Sequence, residues 1–197
     1  DHAILNHMMS ITKELKYDQV DFHVISPTHH GEVGVTNLNR VLRTVLNPNI
    51  NLKTVRVGSD EIRVGDKVMI TQNDYDLQVF NGDLGHVHAI YNKSISIMIK
   101  GASNHLIEIP ISAVGSLLRM AYATTVHKSQ GQEYDVIVMP LSKNHNSKLL
   151  KRSLVYTAIT RAKKKVFLVG EKGVLIKSIN NNLNDDKHSL LEKRLRS

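Results

Sequence analysis

Two stretches in which strands alternate with helices flank a central run of short strands in this 197-residue sequence. In the first stretch, apolar residues recur every three to four positions over residues 3–16, and residues 20–26 alternate and are rich in β-branched residues, which predicts a strand. Helical spacing returns over residues 35–46 and is stopped by Asn47 and Pro48. Because a helix between strands commonly leads to a parallel neighbour, this alternation predicts an α/β fold, a mostly parallel sheet flanked by helices.

The second alternating stretch follows residue 118 and extends the same predicted sheet. Its elements are, in order, a strand (119–124), a helical turn (126–130), a buried strand (135–141), a helix (149–161), a strand (166–170) and a helix (174–183).

The central run is punctuated by Gly, Asn and Asp, which predicts tight turns between strands. Such a pattern indicates a small all-β unit, a Src-homology-3-like barrel inserted in the α/β unit. We therefore divide the chain into an α/β unit of residues 1–54 and 119–197 and a barrel of residues 55–118. The strands predicted in the barrel are 67–71, 84–91, 94–100 and 105–109.

Composition argues against several classes of protein. No apolar run approaches the roughly 20 residues of a membrane-spanning helix, so we expect no membrane role. The absence of Cys excludes disulfides and thiolate metal sites and agrees with a reducing cytoplasm, where we expect the protein. His86 and His88 alternate on a predicted strand without a carboxylate at matching spacing, so we predict no metal site.

Positive charge is concentrated toward the C-terminus of the chain. The formal net charge is +8, and residues 143–197 hold 14 Lys and Arg against 4 Asp and Glu. Basic clusters commonly bind nucleic acid because each neutralised phosphate releases condensed counterions. A solvated, solubilising surface is the competing explanation.

The densest polar cluster is the 124–133 segment, Thr-Thr-Val-His-Lys-Ser-Gln-Gly-Gln-Glu. It is expected where a strand ends and a helix begins, so its hydroxyls and free backbone amide groups can hold phosphate oxygens. Glu133 is suited to accept a hydrogen bond from a ribose hydroxyl. A capped turn that serves only the helix would explain the Thr and Ser residues equally well.

Thr157, Thr160 and Arg161 share one face of the helix predicted before the last strand. Arginine suits a γ-phosphate because its guanidinium stays charged and binds two oxygens at once, and it can stabilise charge that grows during phosphoryl transfer. We expect Arg161 at the carboxyl edge of the sheet. The competing explanation is that Arg161 only complements the helix C-terminus.

The 26–31 segment, Ser-Pro-Thr-His-His-Gly, is another loop at a strand end. Its two His residues suit contact with a nucleic-acid backbone or a base, although a plain turn explains the composition as well. The sequence contains no Gly-x-x-x-x-Gly-Lys-Ser/Thr loop and no Asp-Glu pair after an apolar strand. This chain alone therefore cannot make a complete nucleotide site.

These three segments, in this order, resemble motifs of superfamily 1 DNA helicases, most closely of the RecD-like branch that moves 5′ to 3′ on single strands. Residues 24–39 look like motif IV, residues 124–133 like motif V and residues 155–164 like motif VI. Residues 64–69 and 79–85 are similar to the sequence segments with which the inserted barrel of that family begins. The resemblance implies a RecA-like second motor domain of the UvrD-like C-terminal type.

The resemblance also assigns roles to residues. Arg161 would be the arginine finger and the catalytic residue. The nucleotide would be faced by Gly131, Glu133, Thr157 and Arg161. Single-stranded DNA would be contacted by Ser26, Thr28, His29, Thr125, His127 and Ser129.

By the same resemblance, ATP and Mg²⁺ would be held mainly by an N-terminal motor domain of the same protein, which this sequence lacks. The implied function is the C-terminal motor domain of an ATP-dependent DNA helicase of the exodeoxyribonuclease V alpha subunit-like family, used in repair and recombination. The chain by itself is then expected to be inactive as an ATPase. The alternative is a non-catalytic module that binds single-stranded nucleic acid.

Overall fold

A computed structural model describes residues 1–57, 60–101, 104–129, 131–145 and 149–181. The predicted fold class, a mostly parallel sheet flanked by helices together with a smaller antiparallel unit, is confirmed. The C-terminal part of the helix predicted over 174–183, residue 130 and the basic tail beyond residue 181 lie outside the described residues.

The α/β unit is built on a four-stranded sheet with the order β11-β10-β1-β9, in which every neighbouring pair is parallel. The antiparallel unit is inserted between β1 and β9, which are adjacent in the sheet. The strands of the parallel sheet are β1 (Phe22–Ser26), β9 (Ala123–Thr125), β10 (Tyr134–Leu141) and β11 (Ala162–Gly170).

Helices pack on both faces of this sheet. One face buries Met8, Leu38 and Leu42 of the first two helices, and the other buries Val155 and Val174 of the last two. These apolar residues recur at helical spacing, so each helix buries one stripe and exposes the rest. The helices of the described residues are α1 (His2–Tyr17), α2 (Val35–Leu46), α3 (Ile111–Leu117), α4 (Arg152–Ile159) and α5 (Lys172–Asn180).

The inserted unit has a five-stranded antiparallel sheet of order β7-β6-β5-β4-β8 and a two-stranded hairpin, β2-β3. Its core is aliphatic, with Ile95, Ile97 and Ile109 fully buried. The four predicted strands are found, each within about one residue of its expected ends. The strands are β2 (Thr54–Val57), β3 (Asp60–Arg63), β4 (Lys67–Ile70), β5 (Leu84–Ile90), β6 (Ser94–Ile99), β7 (His105–Pro110) and β8 (Leu118–Met120).

The strand predicted over residues 119–124 is two strands that belong to different sheets. β8 pairs with β4 in the antiparallel sheet, whereas β9 pairs with β1 in the parallel sheet. The chain crosses between the sheets at Ala121 and Tyr122, which are both buried. Apolar residues continue through the crossing, so the pattern gives no sign of the change of partner. Helix α3 and the β2-β3 hairpin were also not predicted as separate elements.

A fully buried carboxylate, that of Asp66, joins the two units. Its oxygens lie 2.9 Å from Arg43 Nη2 and accept hydrogen bonds from Asn47 Nδ2 and the Tyr122 hydroxyl, both at 2.8 Å. The backbone N–H of Arg63 donates to it at 2.9 Å. A buried charge is tolerated only when it is paired and hydrogen-bonded, so Asp66 needs all of these partners. Because they come from α2 and the residue after it, from the barrel and from the crossing segment, Asp66 connects these three parts.

Candidate functional site

The predicted site residues lie at two opposite edges of the parallel sheet. At the carboxyl edge, β1 ends at Ser26 and β9 ends at Thr125, and these two residues are register partners. At the amino edge, Glu133 directly precedes β10 and Arg161 directly precedes β11. The sheet therefore separates the predicted DNA contacts from the predicted nucleotide contacts.

At the carboxyl edge, Ser26 organises its loop. The buried Ser26 hydroxyl donates to Val33 O at 2.8 Å and accepts from the Thr28 N–H at 3.3 Å. The Thr28 hydroxyl in turn donates to His30 O at 3.1 Å. The Ser26 hydroxyl makes its hydrogen bonds within the protein, so the exposed His29 and His30 are the side chains of this loop that a ligand can reach.

The turn after β9 divides its side chains in the same way. Thr125 and Ser129 are buried, and the Ser129 hydroxyl donates to Val126 O at 2.8 Å, which closes the turn. His127 and Lys128 are exposed. Gly131 has φ +83°, a left-handed conformation that lets the chain turn back toward β10.

At the amino edge, the chain segments of Glu133 and Arg161 are tied together. The Tyr134 N–H donates to Arg161 O at 2.9 Å, so Glu133, the residue before Tyr134, stands near Arg161 where the neighbouring strands β10 and β11 begin. Arg161 Nε donates to Thr157 O at 3.3 Å, a long bond that holds the half-buried guanidinium weakly. The Thr157 hydroxyl donates to Ser153 O within α4 at 2.8 Å. Lys163 Nζ lies 3.5 Å from Glu133 Oε2, and both side chains are exposed.

The expectation that Arg161 faces the carboxyl edge of the sheet is wrong. Helix α4 precedes β11, so the connection between them lies where β11 begins, which is the amino edge of a parallel sheet. Glu133 reaches the same edge because the chain returns from the turn at His127–Ser129 to the start of β10. The two residues thus share one edge, although not the predicted one.

Sequence reasoning missed a buried polar cluster that touches the 124–133 segment. His23 is fully buried in β1, and its Nε2 lies 2.9 Å from Thr124 Oγ1. Its Nδ1 lies 3.2 Å from Lys67 Nζ of the barrel, and its ring stacks on Tyr134 at a centroid distance of 4.6 Å. Burial, reinforced by the Lys67 charge, holds the pKa of His23 well below its ordinary value. A polar residue inside the apolar run of β1 was the available signal.

A cavity of about 380 Å³ opens beside this cluster, between the amino edge of the sheet and the barrel. Burial lowers the pKa of Lys67, which lines it, to about 8 and that of the neighbouring His86 to about 4. Lys100, on the same wall, pairs with Asp21 at 2.5 Å. Three ammonium groups, those of Lys16, Lys67 and Lys100, therefore line a space walled largely by apolar groups.

In the described ranges, no helix combines the length and apolar character that a bilayer crossing requires. Nor do three or more His, Asp or Glu side chains converge there as candidate metal ligands.

Comparison with known proteins assigns domains to two parts of the chain. Residues 120–169 match the family model of the UvrD-like helicase C-terminal domain. Residues 38–100 match that of the ATP-dependent RecD-like DNA helicase SH3 domain.

Curated relatives carry RecD names. The ATP-dependent RecD2 DNA helicase of Deinococcus radiodurans is 35% identical over 147 residues, which are 75% of this chain and 20% of that protein. The RecBCD enzyme subunit RecD of Mycobacterium tuberculosis is 42% identical over 108 residues, 55% of this chain and 18% of that protein. The chain thus spans about a fifth of the length of these two relatives.

Solved structures of Pif1 helicases share the fold. Pif1 from Bacteroides in complex with ADP-AlF3 and ssDNA superposes with a TM-score of 0.55 at 18% identity, over 89% of this chain and 44% of that one. A structure of two coordinating Pif1 helicases at forked dsDNA gives 0.57 at 19% identity, over 89% and 43%. The chain carries a UvrD-like helicase C-terminal domain and a RecD-like SH3 domain, and its curated relatives include RecD helicases.

Proposed function

We propose that this chain is the C-terminal motor domain of an ATP-dependent 5′ to 3′ DNA helicase that acts in the cytoplasm in DNA repair and recombination. In this proposal the motor unit takes in residues 1–54 and 119–197 and the inserted barrel residues 55–118, except that β8 (Leu118–Met120) pairs within the barrel sheet. The observation that carries the proposal is the placement of Glu133 and Arg161 side by side at one sheet edge, with the 26–31 loop and the turn after β9 at the other. A motor that couples ATP turnover to movement on DNA needs two such separate sites in one rigid domain.

ATP and Mg²⁺ would bind in a cleft between the amino edge and an N-terminal motor domain of the same protein, which supplies the phosphate loop. Glu133 and Gly131 would face the nucleotide, with Thr157 behind the catalytic Arg161. The long Arg161 to Thr157 hydrogen bond leaves the guanidinium free to turn toward the γ-phosphate. Because Arg161 gains phosphate contacts only when the domains close, ATP binding would favour the closed state and hydrolysis would release it.

Single-stranded DNA would lie across the carboxyl edge. His29, His127 and Lys128 are exposed there and suited to contact it. Ser26, Thr28, Thr125 and Ser129 would order the two loops and present backbone amide groups to phosphates. Bacteroides Pif1, which shares this fold, was solved in complex with ssDNA, and this supports a DNA-binding role for the domain.

The barrel offers a second contact for the strand. Tyr75 and Phe80 are 76% and 50% exposed, and their rings meet edge to face at 6.1 Å. Exposed aromatic rings bind unpaired bases by stacking, without regard to sequence. The same pair would serve the alternative function, a non-catalytic module for single-stranded nucleic acid, which would bind DNA without any response to ATP.

The experiment that tests the proposal is the Arg161→Ala substitution in the full-length protein that contains this chain. ATP turnover should fall by roughly 10³-fold or more, the scale of an arginine finger, with affinity for single-stranded DNA nearly unchanged. Arg152→Ala, which removes an exposed cation from the other end of α4, is the matched control. An unaltered turnover number in Arg161→Ala would remove this residue from the catalytic role, and a wild type with no ATP turnover would favour the alternative.

A further inference from the structure

The barrel contacts the 124–133 segment near both of its ends. Near the first end, Lys67 of β4 reaches Thr124 through His23. Near the second end, Gln132 Nε2 donates to Gly82 O of the barrel, and Gln132 Oε1 accepts from the Tyr134 hydroxyl. Neither contact belongs to the predicted nucleotide or DNA residues.

We propose that Lys67 is a positioning residue that, through His23, fixes the Thr124 hydroxyl and so couples the barrel to the 124–133 segment. The inference rests on the proposed function, because its consequence is that DNA held by the barrel changes ATP turnover at the other edge of the motor domain. Lys67 touches neither the reacting atoms nor the DNA in this arrangement.

The chemistry of the groups decides which atom donates in each hydrogen bond from Lys67 through His23 to Thr124. An ammonium group has only donors, so His23 Nδ1 must accept the hydrogen bond from Lys67 Nζ at 3.2 Å. A neutral imidazole that accepts at Nδ1 carries its proton on Nε2, and this N–H donates to Thr124 Oγ1 at 2.9 Å. The Thr124 oxygen therefore accepts, and its own O–H points away from His23, whose tautomer is set by Lys67 of the barrel.

The surroundings hold Lys67 in this role. Its ammonium also donates to Phe22 O at 3.1 Å and lies 5.9 Å from the centres of the Phe22 and Tyr134 rings. Both described hydrogen bonds of Lys67 Nζ thus end on uncharged acceptors. A buried ammonium group is stabilised less by aromatic rings and a neutral imidazole than by a carboxylate. The surroundings of Lys67 therefore fit a residue that positions His23 rather than one that stabilises the fold.

The barrel also contains a direct route from a DNA contact to these two points. Strand β4 runs from Lys67 to the loop of residues 71–83, which carries Tyr75 and Phe80. The same loop ends at Gly82, whose N–H donates to Ile70 O at 2.9 Å and whose O accepts from Gln132. A base stacked on the aromatic pair would therefore act on an element that is tied to the 124–133 segment near both ends.

The test uses ATP turnover in the full-length protein, measured with and without an oligothymidine strand, and thermal unfolding as a check on folding. Lys67→Met should reduce DNA stimulation by about tenfold and leave the KM for ATP unchanged, while Lys67→Arg, which keeps a charged donor, should retain most of it. Lys100→Met is the matched control, because Lys100 lines the same cavity but pairs with Asp21. Full stimulation in Lys67→Met, or an equal loss in Lys100→Met, would overturn the proposal.

A second measurement does not depend on activity. Imidazole ¹⁵N chemical shifts of wild-type His23 should show the proton on Nε2 and a bare Nδ1, and Lys67→Met should abolish this preference. A wild-type His23 that carries its proton on Nδ1 would refute the coupling chain even if Lys67→Met failed to fold. A wild type whose ATP turnover ignores DNA, with the expected tautomer present, would instead refute the proposed function.

Discussion

Replacing Asp66 by Ala should be among the most damaging single changes in this chain. The carboxylate is fully buried, and the side chain of its partner Arg43 is only 15% exposed and cannot turn to water without leaving the junction. The substitution also removes the acceptor of Asn47 and of the Tyr122 hydroxyl. Arginine cannot lose its proton in a protein, so the buried cation remains after its partner has gone.

The size of the loss follows from the geometry. At 2.9 Å and an effective dielectric constant of about 20, the attraction between Arg43 and Asp66 is roughly 6 kcal/mol before desolvation is subtracted. Removal of one partner from a buried pair typically costs about 3–5 kcal/mol. Since a domain is stable by only about 5–15 kcal/mol, Asp66→Ala should bring this chain close to unfolding at 37 °C.

Urea unfolding followed by circular dichroism measures the effect. The midpoint should fall with an unchanged slope, and Asp76→Ala, in an exposed loop, should leave it within experimental error. The double substitution Asp66→Leu with Arg43→Met should restore much of the stability, because well-packed apolar side chains can replace a buried pair. A cost below about 1 kcal/mol for Asp66→Ala would refute the view that this carboxylate anchors the barrel.

Two further predictions concern the barrel. The pKa of Lys67 is about 8 in the folded protein and 10.5 ordinarily, so between these pH values the unfolded chain binds more protons than the folded one. The free energy of unfolding should therefore rise with pH from about 8 to 10. Lys67→Met should flatten this rise when denaturation is measured as a function of pH. Tyr75→Ala should weaken binding of single-stranded DNA by about 1–3 kcal/mol in fluorescence anisotropy. Tyr17→Ala, which removes a similarly exposed ring from α1, is the control, and equal affinities of the two variants would exclude base stacking on Tyr75.

Local patterns predicted the elements well where the cause of the structure is local. Helix α2 ends at Leu46 as predicted, because Pro48 cannot continue it and disfavours the helical conformation at Asn47. The placement of Arg161 at the amino edge was also within reach, since a helix that precedes a parallel strand always delivers its end to that edge. We placed Arg161 at the end of a helix before a strand and still assigned it to the carboxyl edge, which is where the error lies.

Other features depend on contacts that no short pattern contains. The hydrogen bond between His23 and Thr124 spans 101 residues, and the one between Lys67 and His23 spans 44. The change of sheet at Tyr122 depends on which strands pair, not on apolar spacing. In the sequence, a polar side chain that is buried at a junction shows only as an interruption of an apolar run. Its hydrogen-bond partner is known only from the structure.

The two-residue crossing at Ala121 and Tyr122 has a mechanical consequence. Strand β8 is bonded to β4, and after this crossing the chain enters β9, which is bonded to β1 in the parallel sheet. Tension applied to the barrel by a moving strand would therefore pass along a covalent path into the motor sheet, with no slack linker to absorb it. Lengthening this crossing by a few flexible residues would uncouple the two units mechanically: both would remain folded, but force would no longer pass from the barrel to the motor sheet.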